Sequence, residues 1–279
     1  MFRLLNNLTI PFIGMGTGKL KGELGVTAIK EAIDAGYRLF DTAFLYDNEN
    51  ILWGIHHDQV ERACRDSCKR LCTEYIDLYF FHFPVSFRYR SDEEKWPLSP
   101  DDCLDNDYMN AWWDMEKLVD MGLVRYIGLS NFNAQQIQGV YDISKKHKPV
   151  CNELEHNPGY SNDELLKLHK KLNIQMLAYC PLGRAKEEKL EPKFLYDEKV
   201  KKIAKKYHKS SSQIALRYSI QCDLIPIPKS TKNNHIRENI NVFDFQLNDD
   251  EMQYMKTFHN DANQICKFHF AEGNIHYPF

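Results

Sequence analysis

The chain is 279 residues long and 43% hydrophobic, enough to bury one large core, and α/β barrels of this length commonly form a single domain. Its 36 basic and 39 acidic residues leave a net charge of −3, which excludes a general field for nucleic acid or an anionic membrane, so any anion site has to be local. No stretch approaches the roughly 18 apolar residues of a membrane span, and the opening Met1-Phe-Arg-Leu-Leu-Asn6 lacks a leader's apolar core; the expectation is a soluble, cytoplasmic protein.

Short apolar runs alternate with helix-patterned stretches almost to the end of the chain, which argues for βα units and a parallel sheet. Ile10–Gly16 reads as the first strand, followed by a helix whose apolar stripe is Val26, Ile29 and Ile33 and whose stop is Gly36. Arg38–Ala43 is the next strand. A helix around Gln59–Leu71 leads to strand Ile76–His82, nearly all apolar, as a strand covered on both faces should be. The polar, Pro-bearing stretch 85–108 (Val85–Tyr108) directly follows that strand, and a loop of this length reads as a functional, substrate-side insertion. Next come a helix around Ala111–Met121, strand Arg125–Ser130, helix Gln135–Lys146, strand Val150–Leu154, helix Glu164–Leu172 and strand Gln175–Tyr179. One helical pattern spans Lys199–Tyr218 before strand Leu224–Ile227. Two more helices and a tail, 267–279, complete a single barrel domain, 1–279.

Two weaker signals lead away from chemistry. Gly14-Met-Gly16-Thr-Gly18-Lys19 misses the spacing of both Gly-x-Gly-x-x-Gly and the P-loop, and Leu20 stands where a P-loop needs Ser or Thr. It reads as the end of the first strand. The eight cysteines form no CxxC pair, and in a cytosolic chain they read as reduced, buried small residues. Cys64, Cys68 and Cys72 share one helical face, but closed zinc sites draw ligands from more than one element and no His completes the set. Their role is packing, and no metal is expected.

In a closed barrel of parallel strands, chemistry sits at the C-terminal strand ends. Asp41, His82, Ser130-Asn131, Asn152-Glu153, Tyr179 and Lys229-Ser230 all fall at such ends. With Tyr46, five residues beyond Asp41, and His82, the set suits carbonyl reduction, in which a developing alkoxide needs a proton and a donor to hold it. Taken singly, Asp41 or His82 is as well explained as a satisfied buried polar residue.

The run Gly36-Tyr-Arg-Leu-Phe-Asp41-Thr-Ala-Phe-Leu-Tyr46-Asp-Asn-Glu-Asn50-Ile-Leu-Trp53 adds specificity. So do Leu78-Tyr-Phe-Phe-His82-Phe-Pro84, Gly122-Leu-Val-Arg-Tyr-Ile-Gly-Leu-Ser-Asn-Phe-Asn133 and Ile225-Pro-Ile-Pro-Lys229-Ser-Thr231. Together they resemble the aldo-keto reductases of the aldose and xylose reductase kind, NADP(H)-dependent enzymes built on an α/β fold, the (β/α)8 TIM barrel. The resemblance implies Tyr46 as the general acid, His82 as the group that orients and polarises the carbonyl, and Asp41 as their support. It implies cofactor contacts from Thr17 and Lys19 after the first strand, from Ser130 and Asn131 to the nicotinamide carboxamide, and from Glu153, where the family usually has Gln. Tyr179 would stack on the nicotinamide ring, with Leu182 nearby. Lys229, Ser230 and Thr231 would grip the adenosine 2′-phosphate, and Glu238 and Asn239 the adenine. His235 stands where the family usually has Arg, so a fixed fork of donors is lost and preference for NADP(H) over NAD(H) should weaken. Trp53 and Phe83 are implied walls of the substrate pocket. The implied partner is a small-molecule carbonyl substrate, with no nucleic acid and no membrane, and the chain is expected to be a monomer.

The family pattern also has a jump. In the family a helix, a strand and a catalytic Lys lie between the Tyr-x-Asn-Glu and Leu-Trp elements, but here only Asn50 and Ile51 separate Glu49 from Leu52. The missing segment is roughly 25 residues, about one helix and one strand with their turns. The barrel implied therefore lacks its third strand and the helix before it, which leaves either a strained seven-stranded ring or an open seam with unpaired edges. A free Tyr has a pKa near 10 and a close ammonium lowers it; Ile51 cannot. Two readings follow: an aldo-keto reductase with impaired catalysis, or an NADP(H)-binding pseudoenzyme or truncated isoform.

Overall fold

The computed structural model describes residues 9–42, 59–88, 100–105 and 107–279, and the backbone of 2–3. In chain order, β1 (Phe2–Arg3) and β2 (Thr9–Ile10) form an antiparallel hairpin, and β3 (Met15–Gly16) is followed by α1 (Gly22–Ala35) and β4 (Phe40–Asp41). Next, α2 (Val60–Leu71) leads to β5 (Ile76–Phe81). The long loop carries an antiparallel pair, β6 (Ser86–Phe87) with β7 (Cys103–Leu104), ahead of α3 (Tyr108–Asp120). The alternation continues through β8 (Val124–Ser130), α4 (Ala134–Ile143), β9 (Cys151–Glu155), α5 (Asp163–Leu172) and β10 (Gln175–Tyr179). Then α6 (Lys193–Tyr196), α7 (Glu198–Tyr207) and α8 (Ser211–Gln221) precede β11 (Ile225–Pro226), and α9 (Asn233–Ile240) and α10 (Asp249–Lys256) follow.

Three expectations are corrected by these elements. The first strand is not continuous over Ile10–Gly16: Pro11 has no N–H to give a ladder, and the chain pairs only at Thr9–Ile10 and again at Met15–Gly16. The apolar stripe of α1 is not its buried face. Val26 is 52% and Ile33 46% exposed, while Ala28 and Ala32 are buried against Ile13, Met15, Tyr37, Leu216 and Ile236. Gly25 answers to the entry turn of the helix, where a Cβ would come within 3.0 Å of the Leu20 backbone. The single pattern Lys199–Tyr218 is two helices. His208 ends α7 in the left-handed region (φ 55°), with Lys209 N donating back to Ala204 O at 2.9 Å. Ser210 and Gln213 then form a capping box that starts α8.

The chain resolves into two compact units. The first comprises Met1–Asp41, Leu154–Lys167 and Gln175–Cys266. In it β3 pairs parallel with β4 (Met15↔Phe40, Gly16↔Asp41), and on its other side Gly14 N and Gly16 N donate to Pro226 O and Pro228 O at 3.0 and 3.1 Å. Parallel pairing of β11 with β10 (Leu177↔Ile225) extends the row. Helix α9 is fixed on α1 by the Tyr37 hydroxyl, which donates to Ile236 O at 3.1 Å.

The second unit comprises Thr42–Glu153, Leu168–Ile174 and Lys267–Phe279. Here β5, β8 and the start of β9 lie parallel, with Phe81↔Leu129 and Ser130↔Glu153 in register. Cys64 and Cys68 are buried on α2, Cys72 is exposed, and all eight thiols are free. Glu116 on α3 is buried and its Oε1 accepts the backbone N–H groups of Lys145, Lys146 and His147 at 2.8–2.9 Å. Asn133 and Gln136 box the start of α4, and the same two side chains hold the tail by donating to Pro278 O and His276 O.

Between β4 and β5 the described residues hold only α2, and the expected seam falls on residues 43–58, outside the described ones. Among the described residues, no helix is long and apolar enough to cross a membrane.

Candidate active site

In the first unit, β4 ends on Asp41, whose carbonyl accepts both the backbone N–H and the hydroxyl of Thr17 at 2.9 Å. That pair locks the end of β3 to the end of β4. Burial pushes the Asp41 carboxyl up to about 7; among the described residues no cation acts to lower it. Lys19 lies just beyond, exposed and in the left-handed region (φ 63°).

At the end of β10, Tyr179 is half-buried and its carbonyl accepts His156 N at 3.3 Å. The turn after it is built by Asn157, whose Nδ2 donates to Cys180 O at 3.3 Å. Leu182 packs partly buried against Leu216, Phe194 and their neighbours. After β11 the chain passes exposed Lys229 and half-buried Thr231 into α9. The hydroxyl of Ser230 accepts Lys232 N at 3.1 Å, and the N-cap, Lys232, offers no side-chain cap. His235 and Glu238 are exposed along α9, whereas Asn239 is buried.

The second unit places His82 at the end of β5, half-buried, and burial pushes its imidazole down to about 4. Its carbonyl accepts Asn131 Nδ2 at 2.9 Å. Asn131 holds the left-handed backbone that Asn tolerates better than most residues (φ 61°). It also donates from Nδ2 to Ser130 Oγ at 3.1 Å, while Asn131 N and Ser130 Oγ both donate to Glu153 O at 3.0 Å. His82, Ser130, Asn131 and Glu153 are thus brought together by one hydrogen-bonded net across three adjacent strand ends.

Phe83 is fully buried in this unit, stacked on Phe87 at 6.1 Å and tilted against Phe268 at 5.0 Å. The tail's Ala271, Phe270 and Tyr277 join the same cluster. Asn274 Nδ2 from the tail donates to Leu104 O and Asp105 Oδ1 on the long loop, so loop and tail are one assembly. Tyr46 and Trp53, and the Asn50-Ile51 junction, lie outside the described residues. Among the described residues, no cluster of His, Cys, Asp and Glu is arranged to hold a metal ion.

Sequence reasoning missed the buried carboxylate of Glu155, which accepts Ile265 N and Cys266 N at 2.7–3.1 Å in the first unit. Every residue of β9 is buried, so no alternation singled it out. Its one signal was a second acid two residues after Glu153 on an apolar strand.

Three comparisons bear on this arrangement. A family profile described as "Aldo/keto reductase family" matches residues 53–260. Aldo-keto reductase family 1 member A1-A of Danio rerio is 36% identical, the alignment covering 97% of this chain and 95% of that one. That alignment runs over 311 positions against a chain of 279, so the relative carries residues with no counterpart here. The aldose reductase of Schistosoma japonicum superposes with a TM-score of 0.90 at 32% identity, over 99% of this chain and 97% of that one. Bombyx mori aldo-keto reductase AKR2E4 in complex with NADP superposes with a TM-score of 0.88 at 33% identity, over 100% and 98%. With the parallel strand pairs above, these likenesses establish an α/β fold of the (β/α)8 barrel class.

Proposed function

The chain belongs to the aldo/keto reductase family, and from that premise we propose that it binds NADP(H) and reduces an aldehyde or ketone to an alcohol, with the chemical step impaired. The observation that supports the impairment is in the sequence: only Asn50 and Ile51 separate Glu49 from Leu52 where the family pattern carries a helix, a strand and a Lys, just beyond half-buried Asp41, whose carboxyl burial pushes up to about 7.

The residues present fit the cofactor. An exposed ammonium at Lys229, the hydroxyls of Ser230 and Thr231, and the N-terminus of α9 without a side-chain cap suit a phosphate dianion. The net around Ser130 and Asn131 offers fixed amide and hydroxyl groups to a carboxamide. When bound, a reduced nicotinamide supplies hydride to the carbonyl carbon.

The chain's own residues supply the rest. With its imidazole held neutral, His82 donates a hydrogen bond to the carbonyl oxygen and polarises it without adding a full charge. Tyr46 gives its phenolic proton to the developing alkoxide. The Lys that the family pattern places in the missing segment would be the ammonium that lowers a phenol's pKa, and a phenol with none beside it titrates near 10, which makes phenolate a poor product of proton transfer at neutral pH. Burial of Asp41 favours its protonated form and weakens any electrostatic support it gives. The joined loop and tail, packed over Phe83, are the elements placed to choose the substrate.

Titrating the protein with NADPH by fluorescence, then adding an aldehyde and following NADPH loss, tests this reading. Saturable binding with slow aldehyde-dependent loss supports it. Absence of saturable binding overturns it, and binding with no loss at all favours the pseudoenzyme.

A further inference from the structure

In the tail, 267–279, the backbone forms one short helical turn, His269–Ala271, so the tail's position is set by what it is bound to. Two of its bonds come from the capping box of α4. Gln136 is buried and its amide has two roles: Oε1 accepts Asn133 N at 3.0 Å, closing the box, and Nε2 donates to His276 O at 2.7 Å. Asn133 is divided in the same way, its Oδ1 accepting Gln136 N at 3.0 Å and its Nδ2 donating to Pro278 O at 3.4 Å. A capping box uses only the two oxygens. The two nitrogens serve the tail, and the bond from Gln136 is the shorter.

What this clamp holds is an aromatic wall. At the clamped point the His276 ring meets Tyr108 edge-on at 5.1 Å, and Tyr108 meets Phe132 in the same way at 5.5 Å. Asn274 Oδ1 accepts His276 N at 2.9 Å, while its Nδ2 reaches Leu104 O and Asp105 Oδ1 on the long loop. Next along the tail, Tyr277 joins Phe268 and Phe270 on buried Phe83 and Phe87, and Phe279 stacks on Phe268 at 6.0 Å. Phe83 directly follows His82, and Gln136 lies in the first turn of the helix that follows Asn131. Clamp and wall thus both spring from the strand ends joined by the net around His82 and Asn131.

We propose that Gln136 is a positioning residue for substrate selection. Its bond to His276 O holds the aromatic tail over Phe83, and the wall so held takes the apolar substituent of the carbonyl compound. A small polar aldehyde does not reach the tail and does not feel the clamp. The effect on substrate rests on the reductase function proposed above; the clamp itself does not.

Gln136→Glu tests it, because a glutamate keeps the oxygen that closes the box and loses the donor to His276 O. Hydrogen exchange read by mass spectrometry should quicken in peptides from 267–279 and stay unchanged in α4. With hexanal the KM should rise about fivefold, the scale of one lost hydrogen bond, while kcat stays within about twofold. With glyceraldehyde both constants should stay within about twofold, as should the NADPH dissociation constant. Deleting residues 276–279 should raise the hexanal KM at least as much, and adding Gln136→Glu to that deletion should change nothing more, since both remove one interaction. Equal KM rises for the two aldehydes, an unchanged hexanal KM, or lost protection in α4 with none lost in the tail overturns the proposal. If tail exchange quickens but the unaltered protein binds no NADPH, the reductase reading fails and takes the substrate role with it, while the clamp stands.

Discussion

At the end of β11, Lys229 is exposed, Ser230 already caps Lys232 N, and α9 starts with its first N–H groups uncapped by any side chain. At the end of β4, Asp41 has its carbonyl tied down by Thr17, yet its carboxyl is pushed up to about 7 by burial with no described cation against it. The first corner draws its donors from one continuous stretch, 229–239, so loss of a βα unit elsewhere leaves it whole. In the proposed reading the second depends on groups from separate βα units, so that a cut removing one unit would remove the ammonium with it. On that proposal, binding is local in sequence, whereas proton chemistry is not.

The largest effect expected from breaking that contrast is at β4. Inserting a family-like helix, strand and Lys between Asn50 and Leu52 should raise aldehyde-dependent turnover on the order of 10²–10⁴-fold and leave NADPH affinity within about threefold. Affinity rising as much as turnover would erase the distinction between the two corners.

Next in size is a pH effect of Asp41. Its carboxyl sits at about 7 in the folded protein against an ordinary 3.8, so the folded state binds more protons between those values. The stability this group contributes is full below about pH 4 and is lost as pH rises through about 7. His82 works the other way: held at about 4 against 6.5, it contributes stability above 6.5 that is lost as pH falls through about 4. Asp41→Asn should therefore stabilise the protein at pH 7.5 by about 1–2 kcal/mol, discounted for partial exposure, and by progressively less toward pH 4. Urea midpoints across that range read it, and a uniform effect would contradict a carboxyl pushed up by burial.

Two smaller changes sharpen the β11 corner. Lys229→Ala should raise the NADPH dissociation constant about tenfold while changing that of NADH by less than about twofold. His235→Arg restores a planar fork of donors and should tighten NADPH about threefold, again sparing NADH. Equal losses for both cofactors would show that Lys229 supports the helix rather than the phosphate.

Much of this was legible before any coordinates. The alternation of strands and helices, the strand ends bearing Asp41, His82, Ser130 and Lys229, and the jump after Tyr46 are all local patterns. What escaped had other causes. The buried face of α1 is made of Gly25, Ala28 and Ala32, residues too small to read as an apolar stripe. The break between α7 and α8 lay inside an unbroken helical pattern, although Ser210 and Gln213 at capping-box spacing marked it. Glu155 and Arg184 both reach Cys266 from segments over 80 residues away, a pairing no window along the chain can reveal. The tail's hold on Phe83 and the long loop is equally remote in sequence.

The proposed contrast between kept binding and lost chemistry is tested most directly by one single-turnover experiment. The preformed NADPH complex is mixed with excess aldehyde and the NADPH absorbance is followed to completion, so that amplitude reports bound cofactor and rate reports the chemical step. Full amplitude with a rate far below the roughly 1–10³ s⁻¹ usual for enzymes is the predicted result. Full amplitude at a rate within that range, or no bound NADPH to consume, would contradict it.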